Sequence, residues 1–367
     1  MKVRAAVSRE GQPAPRIETI DLAPPRADEV LVRIAAAGVC HTDLRAHAGG
    51  AWSTPRPIVL GHEGAGIVEA VGAAVLHVKP GDRVVLSGSS CGLCPSCRDN
   101  HPSYCREVIP RSFGGQRMDG SSALSQGGQP LHGHFFGQSS FATHAVADAR
   151  GTVRIADDVP FDIAAPLGCG VLTGAGAVLN AFELKAGQTI VVFGTGSVGL
   201  SAVMAARLAG AREIIAIDPL PQRRALALEL GATAALDAAH EDLVAVVRGL
   251  LPDGADYALN TTVVPEVYLT ALRVLGMRGV AAFVSAPPQP LSVPLGLLLG
   301  GGRTLRGIIG GDAAPQQAIP LLLDFWRQGR FPVDRLLTPF AFNDIAAAFA
   351  AFHHGSVIKP VLCMGEA

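Results

Sequence analysis

The chain has 367 residues, of which 49% are apolar and 17% charged, with a formal charge of −1. That length favours two domains over one, and the near-neutral balance excludes the basic face on which nucleic-acid binders rely. No apolar run is long and uninterrupted enough for a membrane-crossing helix, and Met1-Lys2-Val3 leads straight into strand-like sequence without a signal-peptide pattern, so a cytoplasmic chain with no membrane partner is expected.

From Val3 to about Val75 short apolar runs alternate with Gly and Pro, as in Glu29-Val30-Leu31-Val32-Arg33-Ile34, which predicts short antiparallel strands in a small barrel-like domain. Within it lie Cys40-His41-Thr42-Asp43 and Gly61-His62-Glu63. Thiolate and imidazole are zinc ligands, and a catalytic zinc takes three protein ligands so that a fourth position stays open. Cys40 and His62 supply two, and Cys169, flanked by Gly168 and Gly170, is the candidate third. Each alone reads better as a packed core residue. The flanks change that balance: Gly66, Gly72 and Val75 follow the His-Glu pair, with flexible residues where a bent, crowded strand needs them.

Four of the seven cysteines cluster as Cys91, Cys94, Cys97 and Cys105. In a reducing compartment this spacing favours metal over disulfides or free surface thiols. Four thiolates leave zinc no open position, so the site would be structural and would fold its own loop. A nucleic-acid-binding ribbon is opposed by the mixed charge, Arg98 and Arg106 against Asp99 and Glu107, and the two arginines are expected to offset the thiolates. Residues 112–138 form a long Gly/Ser/Gln-rich loop, a length that is usually functional. Its His132-Gly133-His134 reads as loop histidines in water rather than metal ligands, and Cys363 as inert core.

A small-residue-rich helical stretch over 164–182 carries Cys169 and Thr173, after which the pattern changes. Residues 189–193 read as a buried strand, Gly194-Thr195-Gly196-Ser197-Val198-Gly199 as a glycine turn, 200–209 as a helix, and 213–217 as a second strand ending at Asp218. A Gly-x-Gly-x-x-Gly between strand and helix, with an acid closing the next strand, is the dinucleotide fingerprint: the glycines let a pyrophosphate approach the helix N-terminus. Asp218 would accept ribose hydroxyls and repel a 2′-phosphate, favouring NAD over NADP. A methyltransferase on the same fold is the competing reading, which the candidate zinc ligands oppose. Further strand patterns follow at 255–260, 279–284 and 304–309, then helices and a last strand around Lys359-Pro360-Val361-Leu362.

The combined pattern Gly-His-Glu-x2-Gly-x5-Gly-x2-Val resembles the signature of the zinc-dependent medium-chain alcohol dehydrogenases, and the resemblance extends over essentially the whole chain. It implies an α/β protein: a GroES-like β-rich catalytic domain over 1–170 and 311–367 with two zinc sites, and a Rossmann doubly wound parallel sheet over 171–310. It implies one catalytic zinc on Cys40, His62 and Cys169 that lowers the pKa of an alcohol, one structural zinc, and hydride transfer to NAD. By the same resemblance Thr42 takes the alcohol proton into a relay, Asp43 orients His62, and Glu63 sits behind the zinc. His41, Thr173, Gly194, Gly196, Ser197, Val198, Gly199, Asp218, Arg223, Val284, Ala286 and Lys359 contact the cofactor.

Residues 304–309 resemble the edge strand through which family members pair their cofactor domains, implying a homodimer or homotetramer. Arg45 replaces a histidine that many relatives place at the end of the relay, and Asn260 replaces an acid. The run Gly329-Arg330-Phe331-Pro332-Val333-Asp334 and the C-terminal strand resemble the aryl-alcohol (benzyl-alcohol) branch, and small Ser87 stands at a position that lines the pocket. The expected activity is NAD-dependent oxidation of a primary aromatic or allylic alcohol. The alternatives are a formaldehyde dehydrogenase acting on S-hydroxymethylglutathione and a non-catalytic zinc- and NAD-binding structural or regulatory protein.

Overall fold

In Glu29–Gly38 the side chains of Val30, Val32 and Ile34 are buried while Leu31 and Arg33 stay half-exposed, the period-two pattern of a strand with one face on a core. The same pattern recurs through the first part of the computed structural model, which describes residues 1–50 and 54–365. The chain divides into two units, Met1–Gly170 with Ala314–Asp324 and Val333–Ala367, and Val171–Ala313 with Phe325–Pro332. The second part of the first unit therefore starts three residues later than expected, at Ala314, and a short return through Phe325–Pro332 belongs to the second.

Among the described residues the first unit holds two sheets. One pairs Ile58–Val59, Lys2–Ser8, Arg16–Leu22, Leu124–Gln126 and Gln129–Leu131 in that order. The other runs Thr152–Arg154, Arg83–Leu86, Gly64–Val71, Glu29–Gly38, Lys359–Cys363 and Leu337–Ala341, with His144–Asp148 also on Glu29–Gly38. Val3, Val7 and Ile20 of the first sheet share one contiguous core with Val30, Val32 and Ile34 of the second. Where Ile34 pairs Gly66 the register slips, and a Cβ on Gly66 would stand 2.0 Å from the Arg33 carbonyl oxygen. The crowded, bent strand expected there is present.

The second unit is a six-stranded parallel sheet in the order Ala234–Asp237, Glu213–Asp218, Thr189–Phe193, Ala255–Asn260, Leu275–Phe283 and Thr304–Gly307. Thr189–Phe193 is buried along its whole length, as an inner parallel strand covered on both faces must be. The next strand in sequence lies on one side of it and Ala255–Asn260 on the other, so the order reverses at its carboxyl end, where open α/β sheets bind ligands. Among the described residues no single helix is long and apolar enough to cross a membrane.

Candidate active site

Short loops of the first unit converge on one donor cluster. Cys40 ends the strand-to-helix turn before His41–His47, His62 and Glu63 precede Gly64–Val71, and Cys169 closes the tight turn of Ala165–Gly168. One ligand atom from each of Cys40, His62, Glu63 and Cys169 lies within 4.8 Å of all the others. Asp43 fastens two of these segments together: Oδ2 accepts the Cys40 N–H at 3.0 Å, while Oδ1 accepts the Gly61 N–H at 3.1 Å and faces His62 Nδ1 at 2.9 Å. With Nδ1 engaged, His62 Nε2 is left buried and without a hydrogen-bond partner. A buried imidazole nitrogen facing two sulfurs and a carboxylate is what a zinc ion would complete, so the residues present fit the metal.

Protons in this cluster are shared unequally. Cys169 donates to Cys40, holding Cys40 well below the usual thiol range against its burial, while the same bond and burial push Cys169 well above it. Burial opposes charge on His62, yet Asp43 and Cys40 hold it well above the ordinary histidine value. Metal binding to such a set releases protons.

Glu63 does not face the cluster alone. Both its oxygens lie 2.9 Å from Lys359 Nζ, which also reaches the Val39 carbonyl at 3.1 Å, and Oε1 accepts the Gly170 N–H at 3.0 Å. Lys359 and Glu63 are fully buried. The three donors of the ammonium thus meet three acceptors inside the first unit, two of them on Glu63. Thr42 Oγ1 lies 3.8 Å from Cys40 Sγ, and His41 packs tilted on Phe352 at 4.3 Å between centroids. Arg45 is exposed, whereas His47, two residues on, is buried with its ring nitrogens against Ser8 Oγ at 2.6 Å and the Gln12 carbonyl at 2.9 Å.

An aromatic wall stands over His62. The Phe136 ring stacks on it with centroids 4.5 Å apart and planes 24° apart, and Phe113 and Phe135 close on Phe136 edge-on, each at 5.1 Å. His134, Phe136 and Ser139 all have left-handed backbone, with φ of 54°, 53° and 61°. A left-handed Phe is strained, and such strain gathers where structure positions function. Gln138 braces this loop: its Oε1 accepts the Gly64 N–H, and its Nε2 donates to the His62 carbonyl at 3.0 Å and the Ser87 carbonyl at 3.3 Å. Ser87, expected to line the pocket, is buried, and its hydroxyl donates to the Gly168 carbonyl at 2.7 Å, seating the turn before Cys169. His134, expected in water, is buried, which pushes it down to about 4.

Cys91, Cys94, Cys97 and Cys105 form the second donor cluster, with ligand atoms within 4.8 Å of one another. Backbone N–H groups aim at the sulfurs: those of Leu93 and Cys94 at Cys91, and those of Cys91 and Glu107 at Cys105. The backbone N–H groups of Arg106 and Cys97 hold Cys94 down at about 6, so main chain contributes what was expected of arginine side chains. Cys105 leads into Val108–Phe113, the helix that presents Phe113 to the aromatic wall.

In the second unit Gly194 sits at φ +83°, and Gly196 heads the twelve-residue helix Ser197–Leu208 with no side-chain cap. A Cβ on Gly196 would meet nothing within 4 Å, leaving the open space that a pyrophosphate needs beside free N–H groups. Val198 and Gly199 lie in the helix's first turn. Asp218 closes its strand with Oδ2 accepting the Thr195 N–H at 2.7 Å and Oδ1 the Leu220 N–H at 2.9 Å. Beside it Arg224, one residue beyond the expected Arg223, binds the Asp218 and Pro219 carbonyls and reaches Asp237 at 3.1 Å. Thr173 lies on Gly170–Gly176, and Val284 and Ala286 follow Leu275–Phe283, the Val284 N–H donating to the Asn260 carbonyl.

Two family patterns match the chain, the alcohol dehydrogenase GroES-like domain over residues 26–157 and the zinc-binding dehydrogenase over 197–326. The chain is similar, at 48% identity over 99% of its length and 98% of the other's, to a geraniol dehydrogenase of Castellaniella defragrans. Among solved structures it is similar to an alcohol dehydrogenase zinc-binding domain protein from Burkholderia ambifaria, at 45% identity and TM-score 0.97, and to a benzyl alcohol dehydrogenase from Acinetobacter calcoaceticus, at 38% and 0.95. Both structures match over the full length of both chains.

Proposed function

The chain belongs to the zinc-dependent medium-chain alcohol dehydrogenases, and from that premise we propose that it oxidises primary aromatic or allylic alcohols to aldehydes with NAD. The observation that carries the substrate class is the Phe136 ring stacked on His62 and backed by Phe113 and Phe135, a flat apolar wall beside the donor cluster. The names of the geraniol and benzyl alcohol dehydrogenases agree with it.

Cys40, His62 and Cys169 would hold a zinc ion, which would supply the Lewis acidity that lowers the pKa of an alcohol hydroxyl, and bound NAD would supply the hydride acceptor. Asp43 keeps the His62 proton on Nδ1 and so presents Nε2 as the donor atom. Thr42, on the first turn of its helix beside Cys40, takes up the alcohol proton. With Arg45 exposed and cationic, that proton leaves by a route other than a histidine at this position. Glu63 is a reserve ligand that Lys359 holds back. Cys91, Cys94, Cys97 and Cys105 hold a second, structural zinc. Gly194, Gly196, Ser197, Val198 and Gly199 would hold the pyrophosphate, Asp218 and Arg223 the adenosine ribose, and His41, Thr173, Val284 and Ala286 would supply further cofactor contacts.

Thr304–Gly307 is an unpaired sheet edge, and Met277, Leu295, Leu299 and Ile309 near it are 52–87% exposed, which supports pairing of two copies there. Seven free cysteines, six of them in metal-ligand clusters, support a reducing cytoplasmic setting. The test is NADH formation by zinc-replete protein with benzyl, cinnamyl and allylic terpenoid alcohols beside ethanol and a formaldehyde–glutathione mixture. Turnover of the first three well above ethanol, abolished by Cys40→Ala, is expected. Activity confined to the glutathione mixture would replace the substrate assignment.

A further inference from the structure

We propose that Thr261 is a positioning residue for the dinucleotide, its hydroxyl clamping the Gly194–Thr195 peptide of the glycine turn from the side opposite Asp218. The proposal rests on the reading of the second unit as the NAD-binding domain. Thr261 directly follows Ala255–Asn260, the strand on the far side of Thr189–Phe193 at the point where the strand order reverses.

In a trans peptide the C=O and the N–H point in opposite directions. Here the Gly194 carbonyl accepts from Thr261 Oγ1 at 2.9 Å, while the Thr195 N–H donates to Asp218 Oδ2 at 2.7 Å. The Gly194 N–H is bonded to the Ile217 carbonyl at 2.8 Å. A residue at φ +83° with no Cβ would otherwise leave this peptide free to rotate about its long axis. Such a rotation would misdirect Gly196 and the first N–H groups of Ser197–Leu208, which must converge on the pyrophosphate. The carbonyl is also wedged from the helix side, since a Cβ on Gly199 would lie 1.9 Å from it.

Thr261 is itself fixed. Its N–H donates to the Phe193 carbonyl at 2.9 Å, and its hydroxyl proton is shared between the Phe193 and Gly194 carbonyls, both at 2.9 Å. Asn260 holds the segment from behind, its Oδ1 accepting the Thr262 N–H at 2.8 Å and the Thr262 hydroxyl at 2.9 Å.

Thr261→Val keeps the side-chain shape and removes the hydroxyl. Loss of one neutral hydrogen bond corresponds to roughly five- to ten-fold weaker binding. Fluorescence titration of zinc-replete protein with NADH is expected to show that loss for Val and recovery to within about two-fold of wild type for Thr261→Ser. ADP-ribose, which lacks nicotinamide, should lose affinity by the same factor, and KM for NAD should rise with kcat at saturating NAD unchanged. Should the Val variant fail to fold, Thr261→Ala against Thr261→Ser makes the same comparison. Wild-type affinity in the Val or Ala variant, or a Ser variant as weak as they are, overturns the clamp while leaving the cofactor assignment standing. Absence of NADH binding by the wild-type protein overturns both.

Discussion

Replacing Lys359 by Met removes a charge and little volume, and the structure makes the consequence calculable. Lys359 and Glu63 are fully buried and joined at 2.9 Å through both carboxylate oxygens. Deleting one partner of a buried pair strands the other and costs about 3–5 kcal/mol. For a unit of this size each kcal/mol moves the melting point by roughly 2–4 °C, so a drop of about 6–20 °C in zinc-loaded protein is expected. Adding Glu63→Gln removes the stranded charge, and the double variant should recover more than half of the loss.

The pH dependence has a definite sign. Burial already holds Glu63 above its ordinary 4.5, with the Lys359 charge pulling against that shift. Burial likewise opposes charge on Lys359, but Glu63 prevails and raises it above 10.5, so its contribution is present below 10.5 and lost as pH rises beyond. In Lys359→Met, Glu63 rises further and binds a proton in the folded state that the unfolded chain releases above 4.5. The deficit against wild type is therefore small below that pH, fully developed at neutral pH, and smaller again as pH rises beyond 10.5 and wild type loses the Lys359 contribution. Denaturant unfolding of both proteins from acid to alkaline pH measures it. A loss under about 1 kcal/mol at neutral pH, or a double variant no better than the single, would refute the buried-pair argument.

Asp43→Asn should lower zinc affinity or turnover by about 10–100-fold, because His62 Nδ1 loses the anionic partner that fixes its tautomer; competition with a chromogenic chelator measures the affinity directly. Cys105→Ser should reduce bound zinc from two ions to one and, through Val108–Phe113, loosen the aromatic wall, seen as a raised KM for aromatic alcohols and a lower melting point. His134, pushed down to about 4 by burial, lies below its unfolded value of 6.5, so the stability it contributes is present above 6.5 and lost as pH falls towards 4, by about 3 kcal/mol. His134→Asn, which tolerates the left-handed backbone, should flatten that acid limb in denaturant unfolding.

What the sequence made legible was local. The spacing of Cys91, Cys94, Cys97 and Cys105 encodes a metal site because four ligands lie within one short loop, and the glycine turn is readable because strand, turn and helix are contiguous. Asp43 could be paired with His62 through the family resemblance. Lys359 and Glu63 are 296 residues apart, and no local pattern announces their pairing. Gln138 is equally silent, a polar residue in a Gly- and Ser-rich loop whose amide spans His62, Gly64 and Ser87. Ser87 was legible as small but not as a donor to the Gly168 carbonyl, since that bond depends on how two distant turns meet. His134 and Phe136 gave no sign of their left-handed backbone, which is imposed by packing and not by the residue types.

That left-handed run also limits how the enzyme can be retuned. A β-branched side chain is a genuine outlier at positive φ, so Val or Ile at position 136 would disturb the loop before it altered the pocket. Changes in preferred alcohol that pass through this wall are therefore confined to replacements not branched at Cβ, such as Leu, Met, His or Asn. A library built at position 136 to retune substrate size can accordingly be small.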